Sequence, residues 1–316
     1  MSSESPGAMP DAPYAIGTRT APAALPAQRA KRRASFGRLT RFQSILAHVA
    51  LLLLCTPALM PLAWMISTSL KPDAQIFAHG GPLTWASLLP HPVEWQNYPK
   101  ALRAVPFAMY LKNTLFLCFC TVTGAVASSA LVAYGFARQQ FRGKSVLFLI
   151  MVATIAIPAQ VTMVPTVALF RWLHWYGTYL PLIVPACCGV PFYIFLLTQF
   201  FRNLPAELAE AARVDGAGEF RIFWQVMLPL ARPALVTCAL FQFLATWNDF
   251  FGPLLYINNP ARYTLAYGLQ QLLGSHGSEW ASLMADSTIF MLPVMILFFF
   301  TQKTFVQGVA TTGGKN

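Results

Sequence analysis

Apolar and polar residues follow one another along this chain in long blocks. Six apolar runs of about 20 residues lie at 45–66, 113–134, 146–170, 180–201, 233–251 and 283–300, each bounded by segments holding Lys, Arg, Asp or Glu. About 20 apolar residues at a rise of 1.5 Å each cover a hydrocarbon layer ~30 Å thick. The pattern predicts six membrane-spanning helices. The runs do not alternate residue by residue, which argues against a closed β-barrel. Pro158, Pro165, Pro181, Pro185, Pro191 and Pro293 interrupt several runs. Such kinks persist where neighbouring helices satisfy the freed carbonyls, so a bundle that encloses something is favoured. The expected fold is an all-α integral membrane protein with six transmembrane helices.

Composition agrees with the pattern. The 316 residues are 56% hydrophobic, 14% aromatic and only 10% charged, with a mean hydropathy of +0.52. A soluble domain carries about 25% charged residues, so a water-facing globule of this size would lack polar surface. The net charge of +11 could suggest a nucleic-acid partner, but its distribution points elsewhere. Sixteen Lys and Arg fall on the side of the N-terminal tail and only six on the other. Basic residues mark the cytoplasmic side of short loops, so both termini are expected in the cytoplasm. Nucleic acid is not expected as a partner.

The first 44 residues are rich in Ala, Pro and Ser, end in the basic stretch Lys31-Arg32-Arg33, and carry no hydrophobic period; they read as a disordered basic tail. The first apolar run is longer than the ~7–15-residue core of a signal peptide, so an uncleaved helix is expected. The division is then a tail at 1–44, a first helix with its external loop at 45–108, a core at 109–302 with a cytoplasmic loop at 202–232, and a C-terminal tail at 303–316. The six cysteines, Cys55, Cys118, Cys120, Cys187, Cys188 and Cys238, lie in apolar runs without a C-x-x-C pair or a neighbouring His at zinc spacing. They read as small apolar fillers, and no metal site is expected.

Catalytic chemistry finds little support. The spans hold His48, Asp249 and Asp286 with the neutral Gln160, Gln199 and Gln242, and no H-E-x-x-H or G-x-S-x-G. Gly143-Lys144-Ser145 resembles the end of a phosphate loop, yet position 138, where that pattern needs Gly, is Arg138. No catalytic residue is expected. Asp249, in Trp247-Asn248-Asp249, lies 17 residues beyond Arg232, roughly 25 Å along a helix and so near the outer boundary. An acid there is either a pathway or gate residue or an interfacial helix cap.

The strongest local pattern lies between the fourth and fifth runs, from Leu204 to Gly218. Pro205 can open a helix, Glu207 and Glu210 suit its positive end, and Asp215-Gly216 can turn the chain sharply. A second amphipathic stretch, 219–228, returns to the membrane and is expected to stop at Pro229. A short helix with a small-residue face of Ala209, Ala211 and Ala212 projects into the cytosol, suited to close docking against a partner.

Glu210-Ala211-Ala212, three residues, Gly216, nine residues, then Val226-x-Leu228-Pro229 resembles the EAA loop of importer-type ABC transporter permeases, with Val where the family usually has Ile. Trp247-Asn248-Asp249-Phe250 resembles a fifth-span signature of sugar permeases. Tyr263 to Gln271 and the ending Gly313-Gly314-Lys315 resemble the maltose-type inner-membrane subunit. Asn97-Tyr98 and Tyr110-Leu111-Lys112-Asn113-Thr114 resemble the lead into the second span of carbohydrate permeases. The likeness runs from about Pro92 to the C-terminus.

This resemblance implies a type I importer permease of the carbohydrate class. A second permease subunit would share the path, a dimer of ABC ATPase subunits would hold ATP and Mg, and a periplasmic or extracellular substrate-binding protein would dock outside; membrane lipid surrounds the rest. This chain would bind no cofactor. Glu207, Glu210, Ala211, Ala212, Asp215, Gly216, Leu228 and Pro229 would couple to the ATPase, and the tail with Gly313, Gly314 and Lys315 would reach toward it. Trp247, Asn248 and Asp249 would line or gate the path. Arg262, Tyr263, Tyr267, Gln270 and Gln271, in a loop between the last two spans, would meet the binding protein. The cargo would be an oligosaccharide, a polyol or a sugar phosphate. An ion-coupled secondary transporter is the alternative, for which Asp286 is the one candidate acid.

Overall fold

The computed structural model describes residues 40–77, 88–275 and 280–313, with 273–275 and 303–313 as backbone only. The expected disordered tail therefore lies almost wholly outside the described residues. The chain divides into two units at Thr56 and Pro57. The first is described as the opening part of α1 (Arg41–Ser69), where Phe42, Leu52 and Leu54 are exposed. An apolar face of this kind suits a lipid surrounding.

In the second unit, α1 ends at Ser69 and is followed by α2 (Asp73–Phe77) and α3 (Asn97–Ala104). Asn97 pins the end of α1 by donating to the carbonyls of Ser69 (3.0 Å) and Lys71 (2.9 Å). The Tyr98 hydroxyl meets Ser69 Oγ at 2.8 Å. The long helix α4 (Phe107–Arg138) is the axis of the unit. Its sequence is apolar all round, but the buried positions Tyr110, Thr114, Leu117, Cys118, Thr121, Ala125, Ser129 and Ala133 recur at helical spacing. Small residues on one stripe let neighbouring backbones come close where lipid supplies no hydrophobic drive. α7 (Leu180–Cys187), α8 (Pro191–Asn203) and α12 (Arg232–Trp247) pack on α4.

The third apolar run departs from expectation. It is two helices, α5 (Lys144–Thr154) and α6 (Ala159–Trp172), bent by 97°. Pro158 lacks an N–H and blocks continuation, and Ile155, Ala156 and Ile157 turn through i−3 bonds of 3.1, 3.1 and 3.2 Å. The fourth run also breaks, between α7 and α8, where Gly189 takes a positive φ and Pro191 restarts the helix. The freed Val190 N–H donates to Ser129 Oγ at 3.0 Å. The fifth span ends at Trp247, short of the expected 251, and a separate α13 (Phe251–Tyr256) follows. Between α8 and α12 lie α9 (Glu207–Val214), α10 (Glu219–Ile222), a π turn (Phe223–Met227) and α11 (Leu228–Leu230). After α13 come α14 (Leu265–Ser275) and α15 (Trp280–Gly313). Four helical stretches, Arg41–Ser69, Phe107–Arg138, Leu180–Asn203 and Trp280–Gln302, are long and apolar enough to cross a membrane, and two bent pairs bring the number to as many as six.

Two apolar clusters hold the unit. One gathers Tyr134, Leu197, Phe201, Ile222, Phe223, Met227 and Cys238 where α4 and α8 finish. The other gathers Tyr110, Cys118, Trp247 and Leu265 toward the opposite end of α4. Phe201 is fully buried, edge-on to Tyr134 at 6.2 Å. Phe201→Ala is expected to destabilise the protein by about 3–5 kcal/mol, as for other buried Phe truncations. Phe300→Ala, at an exposed site, should change little. Unfolding in detergent measures both, and equal effects would refute this assignment of the core.

Candidate functional site

The segment from Glu207 to Leu230 is built as a clamp on the end of α4. Helix α9 closes with Gly216 at φ +81°, the Gly216 N–H on the Arg213 carbonyl (3.0 Å) and the Ala217 N–H on that of Ala212 (2.9 Å). This paired geometry needs a left-handed residue after the helix, which glycine adopts without a Cβ penalty. The turn brings α10 back under α9. The π turn precedes Pro229, whose missing N–H would leave a carbonyl unpaired in an unbroken α-helix. The stretch therefore continues through Pro229 to Leu230, where a stop at Pro229 was expected.

Glu219, the first residue of α10, joins the clamp to the bundle. One carboxylate oxygen accepts from Arg213 Nε at 2.7 Å. The other accepts from the Tyr134 hydroxyl at 2.7 Å and Gln139 Nε2 at 2.5 Å, both at the end of α4. Arg138 Nη2 donates to the Leu204 carbonyl at 2.6 Å, fixing the short turn that leads into α9. Sequence reasoning passed over Glu219; the available signal was an acid in the first turn of a helix that follows a glycine turn.

The expected small-residue face divides in two. Ala209 is buried and Ala212 packs beside it on the bundle, while Ala211 faces outward. The outward face thus carries Glu207, Glu210, Ala211 and Asp215 beside the exposed apolar Leu208 and Val214, with Phe220 and Trp224 exposed on α10 and the π turn. Leu228 is half-buried against the core, and Pro229 is exposed.

The three residues Trp247, Asn248 and Asp249 are separated by their roles. Trp247 is fully buried, stacked on Phe243 at 5.4 Å and tilted against Phe290 at 5.4 Å; within this chain it is a core residue. Asn248 donates back to the Leu244 carbonyl at 2.8 Å, ending α12. Asp249 Oδ1 accepts from the Gly252 N–H at 2.9 Å, capping the start of α13. It also lines a cavity of about 170 Å³ with Thr121, Gln242, Thr246, Pro253 and Thr264. Thr121 and Thr246 share a hydroxyl bond of 2.8 Å, and Gln242 Nε2 donates to Thr246 at 3.1 Å.

The segment expected as a loop around Tyr263–Gln271 is helical from Leu265 and packed on the bundle, with Thr264, Leu265 and Ala266 buried. Asn113 donates to the carbonyls of Ala261 and Tyr263, each at 2.9 Å, and the Leu265 N–H donates to Thr114 at 2.8 Å. Arg262 donates to the Gly177 carbonyl, and the Tyr179 hydroxyl to the Arg262 carbonyl at 3.1 Å. Tyr263 and Tyr267 meet edge-on at 4.5 Å and are half-buried, while Arg262, Gln270 and Gln271 are exposed. The backbone of the C-terminal segment continues α15 as helix through Gly313, and Gly314 and Lys315 lie outside the described residues. Among the described residues no His, Cys, Asp and Glu cluster could hold a metal ion.

The Glu219 carboxyl is held at about 2, below its ordinary 4.5, by the Arg213 hydrogen bond first and then those of Tyr134 and Gln139, against an opposing desolvation. A depressed carboxyl pKa stabilises the fold in full above the unfolded value, and that stability is lost as pH falls through the folded value. Glu219→Gln should therefore lower the unfolding temperature above pH 4.5, with the difference from the native protein closing toward pH 2. Thermal unfolding of both proteins across that range checks it, and a pH-independent difference would contradict it.

Residues 121–311 match the family described as "Binding-protein-dependent transport system inner membrane component". A probable ABC transporter permease protein of Pyrococcus horikoshii is 33% identical, over 79% of this chain and 90% of its own length. The arabinooligosaccharides transport system permease protein AraQ of Bacillus subtilis is 31% identical, over 81% and 90%. Among solved structures, a chain of a bacterial ABC transporter involved in the import of the acidic polysaccharide alginate superposes with a TM-score of 0.72 at 26% identity, covering 85% of this chain and 99% of that one. The family is a transport component and not an enzyme; ATP is handled by a partner of the complex. An ion-coupled secondary transporter is not what these likenesses support. The chain belongs to the binding-protein-dependent transport family and is a multi-pass inner-membrane permease of an ABC importer.

Proposed function

We propose that this chain forms half of the path of a carbohydrate importer and passes ATPase motion into the bundle through the Glu207–Leu230 clamp. The observation that carries this reading is the bonding of Glu219 to Arg213 on one side and to Tyr134 and Gln139 on the other. Force applied to the exposed face of α9 reaches the bundle axis through short, charge-assisted bonds. That face, apolar at Leu208 and Val214 and acidic at Glu207 and Glu210, suits a groove on an ATPase subunit that carries ATP and Mg. The orientation follows from sixteen basic residues against six, which puts both termini and the clamp in the cytoplasm.

A second permease subunit completes the path, and the face of Arg262, Gln270 and Gln271 above Tyr263 and Tyr267 meets an external binding protein. In the proposed division, 1–44 is a tail, 45–108 the first helix and external loop, 109–302 the permease core with the clamp loop at 202–232, and 303–316 an ATPase-facing end that includes Gly313, Gly314 and Lys315. The arabinooligosaccharide relative and the alginate importer support a carbohydrate cargo. Reversing a two-state equilibrium from about 1:99 to 99:1 takes roughly 5.5 kcal/mol of differential binding, which partners engaging one state better would supply. Co-purification of the tagged chain with an ATPase and a second permease, followed by ATP-driven uptake in proteoliposomes, tests the proposal. Failure to recruit an ATPase would refute it.

Two substitutions separate its parts. A Cβ at Gly216 would meet no neighbour, so Gly216→Val acts through backbone strain alone, on the order of 1–3 kcal/mol. It should abolish ATP-driven uptake, while Gly216→Asn, which tolerates the left-handed region, should retain most of it. Equal uptake in both would remove the turn from the coupling route. Gln270→Ala with Gln271→Ala, at exposed positions of α14, should lower stimulation by the binding protein without preventing assembly with the ATPase; native stimulation would exclude docking there.

A further inference from the structure

We propose that the cytoplasmic corner where α4, α5 and α8 meet binds the phosphate of an anionic phospholipid, of the phosphatidylglycerol kind, whose acyl chains lie along α5. The inference goes beyond the importer reading and takes from it only the side of the membrane that this corner faces.

The corner is built from three helix ends. Gly143, at φ +82°, turns the chain after α4 so that α5 begins at Lys144. Beneath the turn, Phe148 of α5 meets Phe136 of α4 at 5.4 Å and Phe195 of α8 at 6.3 Å between ring centroids. This aromatic floor gathers cations from all three helices. Arg202, near the end of α8, lies over the Phe148 ring at 5.1 Å. Lys144 Nζ donates to the Gln139 carbonyl at 2.7 Å, and it stands close enough to Arg202 for the two charges to repel. Arg138 reaches the Leu204 carbonyl, two residues past Arg202. Arg142 is exposed in the turn between α4 and α5.

These like charges have no counter-charge of their own. Arg138, Lys144 and Arg202 rest on carbonyl oxygens and a ring, and the one ion pair among the described residues joins Arg213 to Glu219. Glu219 touches the corner through the Gln139 side chain, but Arg213 already neutralises it. A phosphate diester supplies the missing charge and accepts from guanidinium and ammonium donors alike. Basic pockets between membrane helices on the cytoplasmic side select such headgroups. What lies below makes the occupant a lipid. α5 leaves the corner with Val146, Leu147, Leu149 and Ile150 exposed, and none of its residues is buried. Acyl chains on that face bring their phosphate to the level of Lys144, whereas a soluble anion would leave the face bare. Gly143-Lys144-Ser145 thus serves a phosphate without being a nucleotide loop: position 138, where that loop needs Gly, contributes a cation.

The test uses the co-purified complex with a benzophenone side chain at position 147, reconstituted in vesicles of equal parts phosphatidylglycerol and phosphatidylcholine. Irradiation fixes whatever lies on α5, and mass spectrometry identifies it. The native sequence at the corner should capture phosphatidylglycerol in excess. Lys144→Gln and Arg202→Gln should each lower that excess about fivefold, the effect of one cation near an anionic surface. Lys144→Arg and Arg202→Lys, which keep the charge, should preserve it. Added inorganic phosphate should leave the capture unchanged; its loss would assign the cations to a free anion and overturn the lipid. Equal capture of both lipids with the native corner, or an equal drop in the charge-keeping variants, would overturn the site. Capture of a polypeptide would show a partner subunit covering this face and would overturn it as well. Recovery of the ATPase with each variant reports that it folds. A chain that captures phosphatidylglycerol in excess yet recruits no ATPase would refute the importer reading and leave this site standing.

Discussion

In a hydrocarbon layer every buried polar group has to find its partner inside the protein, and this one constraint shapes most of the molecule. The hydroxyls of Thr114, Thr121, Thr198 and Thr237 turn back onto carbonyls four residues earlier. Each helix break carries its own remedy. Ser129 receives the Val190 N–H between α7 and α8, and Asp249 receives the Gly252 N–H between α12 and α13. Asn113 and Thr114 serve the chain around Tyr263 in the same way. Polar side chains in this bundle are therefore largely devices that permit a bent backbone, and the bends in turn open the cavity beside Asp249.

The same economy appears at the clamp. Its helices are short, and α9 by itself would be marginal in water. Ala209 and Ala212 seat it on the core, Gly216 reverses the chain, and Glu219 ties the second limb to Tyr134 and Gln139. These contacts make the clamp part of α4 rather than a loose loop. In the proposed coupling, a partner that grips its exposed face moves the bundle axis with it. Rigid-body switching of this kind depends on a packed, discrete interface.

The all-helical membrane fold and the glycine turn were legible in the sequence, because apolar run length and a positive-φ position leave direct marks, while the described residues hold four unbroken spanning helices, or as many as six with the bent pairs. Breaks inside runs were only hinted at. Pro158 marked one, but the size of the bend depends on Ile155–Ile157 finding i−3 partners. The 263–271 segment read as a loop because its helix is short and its anchors, Asn113 and Thr114, lie about 150 residues away in the chain. Trp247 was expected as a path residue because its motif resembles a fifth-span signature of sugar permeases, yet its indole lies between Phe243 and Phe290. Glu219 went unnoticed for a similar reason: three of the groups that define it come from elsewhere, and a lone acid on a short helix carries no distinguishing pattern.

The central claim is that clamp and axis helix move together. Spin labels at positions 214 and 131, both exposed in the native protein at 88% and 52%, attached by a chemistry that ignores the six native cysteines, report the distance between α9 and α4. Pulsed dipolar spectroscopy on the reconstituted complex, nucleotide-free and trapped with ATP, measures that distance in both states. The account predicts one unchanged distribution while transport-linked motion proceeds elsewhere in the complex; a shift or a second population on ATP binding would show that the clamp pivots on α4 and contradict it.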